Sequence, residues 1–121
     1  MPRSVLDETH IHPAVRDAVT SSHAETVREV QAALAAHPVV VVGMAQNPWP
    51  RHARRLLEAK GIRYHYLEYG SYLGGWRKRT AIKMWSGWPT FPMVFVKGAL
   101  VGGASDLARL EASGELAKML G

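Results

Sequence analysis

Apolar positions along the chain change their period several times, and each change predicts an element. Val27, Val30, Ala33 and Leu34 recur at helical spacing, and Pro38 stops the pattern. Ser22 and Glu25 stand three apart just before it, the spacing of a capping box, so the helix is expected to begin near Ser22 and run to about Ala36. Val39 to Val42 is an uninterrupted β-branched run without polar alternation, which suits a strand covered on both faces. Ala53, Leu56 and Leu57 predict a second helix over Pro50 to Lys60, with proline in the first turn and Gly61 as the stop.

Ile62 to Tyr69 reads as a strand, residues 70–75 as a loop, and Trp76 to Trp85 as a third helix with Ile82 and Trp85 inward. Gly87 to Pro92 holds two prolines and predicts a rigid loop. Met93 to Val96 and Leu100-Val101 read as strands joined by a Lys97-Gly98 turn. Gly102-Gly103 breaks the chain, and a last helix begins at Ser105 or Asp106 with Leu107, Leu110, Leu116 and Leu120 inward. Strands joined through a helix are expected to be parallel, and the closing hairpin antiparallel. The expected fold is α/β: a mixed four-stranded sheet flanked by helices. Residues 1–20 read as an irregular N-terminal extension and 21–121 as one domain.

Composition narrows the function. The 121 residues contain no cysteine, which excludes a thiolate nucleophile, a disulfide or a Cys-held metal cluster within the chain. No apolar run approaches the roughly 20 residues of a membrane-spanning helix, and the first 20 residues lack the apolar centre of a secretory signal. A soluble, cytoplasmic protein is expected. The formal charge of +5 gathers in Arg51 to Arg55 and Arg77 to Lys83. These stretches read as solvated helix faces or as attraction for a small anion. Trp76, Trp85 and Trp88 interleave with this charge but suit core or groove wall better, so nucleic acid is disfavoured as a partner. His10 and His12 form His-x-His without a third ligand nearby, short of a metal site.

Three segments carry a family resemblance. Trp88-Pro89-Thr90-Phe91-Pro92 resembles the Trp-Pro-Thr-x-Pro loop of monothiol glutaredoxins. Gly102-Gly103-Ala104-Ser105-Asp106 resembles the glutaredoxin Gly-Gly-x-Asp segment. Asn47-Pro48-Trp49-Pro50 falls where that family has Cys-Pro-Tyr-Cys. The resemblance covers roughly Ser22 to Leu120 and implies a thioredoxin-like fold, with glutathione as a ligand and no required cofactor.

It also implies roles for particular residues. Pro92 matches the cis-proline whose neighbours, Thr90 and Phe91, present backbone groups to glutathione. Gly102, Gly103 and Ala104 let the backbone approach a carboxylate at the next helix's N-terminus. Ser105 stands where relatives carry Asp; Asp106 beside it either holds a ligand ammonium or stabilises the helix start. Arg79 and Lys83 match basic positions of the monothiol class; Arg79 either grips a carboxylate or is a surface charge. Asn47 and Pro50 replace the two cysteines, and Met44 replaces a lysine that contacts glutathione. Trp49, at the tyrosine position, packs on a ligand or partner or lies over its own helix. Thiol–disulfide oxidoreductase activity is therefore not expected. The resemblance suggests a non-catalytic module binding glutathione or a protein partner; the alternative is a redox or iron–sulfur protein of the usual family kind, or a partner protein in iron–sulfur or redox homeostasis. Oligomeric state stays open.

Overall fold

The computed structural model describes residues 3–21, 23–71 and 73–121. After a 3-10 turn at Glu8–His10, the elements in chain order are α1 (Pro13–Ser21), α2 (Ala24–Ala36), β1 (Val39–Gly43), α3 (Pro48–Ala59), β2 (His65–Glu68), α4 (Trp76–Ser86), β3 (Met93–Val96), β4 (Ala99–Gly102), α5 (Ala104–Ala112) and α6 (Glu115–Leu120). Ser22, the expected cap of α2, lies outside the described residues; α2 is preceded by His23, which makes no side-chain capping bond.

The strands form one mixed sheet in the order β2-β1-β3-β4. β1 and β2, joined through α3, are parallel, with Val40 opposite His65 and Val42 opposite Leu67. The expectation of parallel strands fails at the next connection. The chain leaving β2 passes through α4 to the far side of β1, where β3 runs antiparallel to it. β3 and β4 form the expected antiparallel hairpin.

Period-2 alternation of the central strands divides the core in two. Val40 and Val42 of β1, with Met93 and Phe95 of β3, pack against Val30 and Ala33 of α2 and Ile82 of α4. Val39, Val41, Val94 and Val96 point the other way, onto Ala53 and Leu57 of α3, Leu107 of α5 and Leu116 of α6. All four valines of β1 are buried, as a strand clad on both faces requires. Each such side chain removed from water contributes about 1.5–3 kcal/mol against the entropy of ordering it.

Three local differences from the sequence expectation appear. The expected irregular extension contains a helix, α1, none of whose described side chains is buried. Pro13 opens it, and His12 Nδ1 accepts the Ala14 N–H at 3.0 Å. The last helix is divided: α5 stops at Ala112, and Gly114, at φ +83, redirects the chain immediately before α6 begins at Glu115. β2 pairs only over His65–Glu68, shorter than the expected strand. At the end of β1, a Cβ on Gly43 would lie 2.8 Å from Pro50 Cβ and 2.9 Å from the Tyr66 hydroxyl. Among the described residues no helix is long and apolar enough to cross a membrane.

Candidate functional site

Three segments meet at one end of the sheet: the N-terminus of α3, the loop before β3, and the turn from β4 into α5. Between them lies a cavity of about 250 Å³. Trp49 lines it from α3. Thr90, Phe91 and Pro92 line it from the loop, and Gly103 to Asp106 from the start of α5. The Phe91–Pro92 peptide is cis. Trp88, quoted in the sequence motif but not nominated as a ligand contact, completes the wall. Its indole Nε1 is buried without a hydrogen-bond partner.

Asn47 is the N-cap of α3. Its backbone is extended and its Oδ1 accepts the Trp49 N–H at 3.0 Å, which satisfies one of the donors that a helix start leaves free. Its Nδ2 donates to the Phe91 carbonyl at 3.5 Å, tying the helix start to the proline loop. Pro48 and Pro50 occupy the first turn, where a missing N–H interrupts no helical bond. Pro50 is buried and Trp49 is 52% exposed, its ring tilted against His52. Trp49 therefore lies against its own helix and also walls the cavity.

At the opposite wall, Asp106 reaches back to the start of α5. Its Oδ2 accepts the Gly103 N–H at 3.0 Å and its Oδ1 pairs with Arg109 at 2.7 Å. Of the two roles open to Asp106, this geometry is the helix-start role. The approach is close: Gly102 sits at φ +110, and a Cβ there would come within 2.6 Å of Asp106 Oδ2. The Gly103 N–H, with lesser help from Arg109, holds the Asp106 carboxyl below its usual pKa. A depressed folded pKa gives stability that is present above the unfolded value and lost as pH falls through the folded one. Asp106→Ala should therefore cost about 1 kcal/mol at neutral pH. The gap to the parent should narrow on acidification below about pH 4. Chemical denaturation at pH 7 and pH 3 checks this; a pH-independent gap would assign the loss to packing instead.

Met44, Arg79, Lys83 and the buried Gly102 lie outside the cavity lining. Met44 is 7% exposed, inside the core cluster on the α2/α4 side of the sheet. Arg79 is no surface charge: it is buried, and its Nη1 donates to the carbonyls of Gly74 at 2.8 Å and Tyr69 at 3.2 Å. Lys83 places its ammonium 5.7 Å from the centroid of the Phe91 ring. Only the direction of each side chain decides this, and sequence spacing does not carry it.

The arrangement offers two helix N-termini, backbone groups of an irregular loop and an aromatic rim. It suits a small anionic or peptide-like ligand. Asn47 holds the helix tip as a satisfied cap, and the chain has no cysteine.

Comparison with known proteins is consistent across sequence and fold. The glutaredoxin family model matches residues 39–101. A "Glutaredoxin-like protein" of Dictyostelium discoideum is 43% identical over 88 residues, 73% of this chain and 72% of that protein. A "Probable monothiol glutaredoxin GrlA" of Legionella pneumophila is 35% identical over 77 residues, 64% of this chain and 83% of that one. The crystal structure of a buckwheat glutaredoxin–glutathione complex superposes with a TM-score of 0.72 at 24% identity, covering 82% of this chain and 90% of that one.

Proposed function

Starting from a chain that belongs to the glutaredoxin family, we propose that it is a non-catalytic member: it binds glutathione in the cavity beside Pro92 and carries out no disulfide exchange. The observation that carries this reading is a pairing. Thr90 to Pro92 and Gly103 to Asp106 enclose one cavity, while the helix tip above it bears Asn47, whose amide can neither attack a disulfide nor ligate iron as a thiolate does.

The buckwheat relative is known as a glutathione complex. Here the cavity would use the backbone N–H groups at the start of α5 for a carboxylate and the loop before β3 for the tripeptide backbone. Ser105, which is exposed, offers a hydroxyl where an acidic side chain would hold an ammonium. Arg79 is already engaged with its own loop. Fewer charged contacts mean modest affinity, with a dissociation constant on the order of 1 mM.

Calorimetric titration with reduced glutathione tests the proposal. The expected result is saturable heat at millimolar ligand, with NMR shifts at Thr90, Phe91 and Gly103 to Asp106. A mixed-disulfide reductase assay should stay at the level of its blank. Heat without those shifts, or turnover above the blank, would overturn it. The half-exposed Trp49 at the rim favours one further reading, a protein partner at the same mouth; absence of any glutathione heat leaves that version alone.

A further inference from the structure

A second concave surface lies between α2 and α4. It shares no lining residue with the cavity beside Pro92. Both helices rest on the same sheet face, through Val30 of α2 and Ile82 of α4. Their outward flanks leave a groove of about 690 Å³. Val27 and Arg28 line it from α2, and Trp76, Arg77, Met84 and Trp85 from α4.

The groove has the composition of a binding surface rather than of ordinary helix exterior. Trp76 is 60% exposed and Met84 63%, and the two stand eight apart on α4, two turns along one face. Trp and Arg are the side chains that most often anchor interfaces, and Met adapts its shape to a partner. Arg77 lies over the Trp76 ring at 5.2 Å from its centroid, so the anchor and the charge form one unit.

The charge is one-sided. The charged groups lining the groove are Arg28 and Arg77, with no carboxylate among them. Of the two acids of α2, Glu29 accepts the Tyr69 hydroxyl at 2.8 Å, and Glu25, exposed in the first turn, is not part of the groove lining. We propose that this groove docks an acidic amphipathic helix of a partner protein. Its apolar face would lie over Val27, Trp76 and Met84, and its flanking carboxylates would meet Arg28 and Arg77. A concave channel between two helices fits a third helix, about 10 Å across, better than it fits a flat bilayer. The chain's own net charge of +5 opposes a second copy as the occupant.

Two synthetic peptides of about 16 residues, near the length at which isolated helices become marginally stable, provide the test. Both carry leucine at positions i, i+3, i+4 and i+7; one has glutamate and the other lysine at the flanking positions. Each is titrated into the full-length isotope-labelled chain. The expected result is that the glutamate peptide shifts Val27, Met84 and the Trp76 indole while Thr90 and Ser105 stay still. It should bind about tenfold more tightly than the lysine peptide, a difference of about 1.4 kcal/mol. Arg28→Glu with Arg77→Glu should reverse the preference, and Met84→Glu should abolish binding with the melting temperature unchanged. Equal binding of both peptides, no binding, or shifts confined to Thr90 and Ser105 would overturn the proposal. So would transfer of the chain to phosphatidylserine vesicles, lost in Met84→Glu, which would identify a membrane as the occupant. Concentration-dependent dimerisation abolished by the same substitution would identify a second copy.

Discussion

Asn47→Cys should place a thiolate at the cavity mouth that attacks a glutathione mixed disulfide. Residue 47 caps α3, with its side chain accepting the Trp49 N–H at 3.0 Å. A sulfur placed there faces the same donors and the positive end of the helix, which favour a thiolate. Its pKa should fall below the roughly 8.5 of a free cysteine. The thiolate would attack the glutathionyl sulfur of the mixed disulfide and expel the other thiol. A free glutathione thiolate would then attack the glutathionyl sulfur of that new disulfide, forming oxidised glutathione and expelling the cysteine as its thiolate. With Pro50 at the second cysteine position, no resolving thiol exists in the chain, so the external one is required. The rate should remain low, since Met44 is a core side chain that lends no positive charge. Loss of the asparagine cap should cost about 1 kcal/mol of stability. The pH dependence of iodoacetamide alkylation reads the thiol, and coupled consumption of a hydroxyethyl mixed disulfide reads turnover. A thiol titrating at or above 8.5, or a folded variant that binds glutathione yet never turns over, would refute this account of the helix tip.

A large stability loss is expected at Arg79. The guanidinium is buried and spans the loop between β2 and α4, donating to the carbonyls of Tyr69 and Gly74. The loop is shaped around it. Gly70 and Gly75 take φ +67 and +77, and a Cβ on Gly70 would lie 2.6 Å from Arg79 Nη1. Hydrogen bonds from a charged donor contribute about 1.5–3 kcal/mol, and removing the donor leaves carbonyls without partners. Arg79→Met keeps much of the side-chain bulk and removes the donors. It should destabilise by about 2–3 kcal/mol, a fall in melting temperature on the order of 10 °C for a domain of this size. The hydrogen-bonded amides of Ser71, Leu73 and Gly74 should lose exchange protection first. Arg79→Lys should recover part of the loss, because one ammonium reaches fewer acceptors. A melting temperature unchanged in Arg79→Met would show that the loop holds itself.

Most of the fold was legible because its strongest signals are local. The valine run of β1, the apolar spacing of α2 and α3, and the hairpin turn at Lys97-Gly98 each specify an element without help from distant residues. α1 was missed because Pro13, Arg16 and Asp17 dilute its apolar pattern, and none of its described side chains is buried. The direction of β3 was missed for a different reason. Which side of β1 the chain reaches after α4 is decided by packing of the whole sheet, and a helical connection alone does not fix it. At the candidate site, Thr90 to Pro92 and Gly103 to Asp106 were nominated through the resemblance to glutaredoxin motifs, and the fold brings them together around one cavity. The inward turn of Arg79 and the burial of Met44 were not. Counting positions locates a Cα but leaves open which way a long side chain turns.

The missing side chain at Gly43 has a mechanical consequence. Pro50 and the Tyr66 hydroxyl occupy the space where a Cβ would stand, so the end of the central strand is butted against the first turn of α3. The proline ring has no rotamer with which to yield. Strand and helix tip therefore behave as one bracket, and the mouth of the cavity inherits the stiffness of the sheet. A guest at Pro92 would meet a receptor already assembled, with little ordering left to do on arrival.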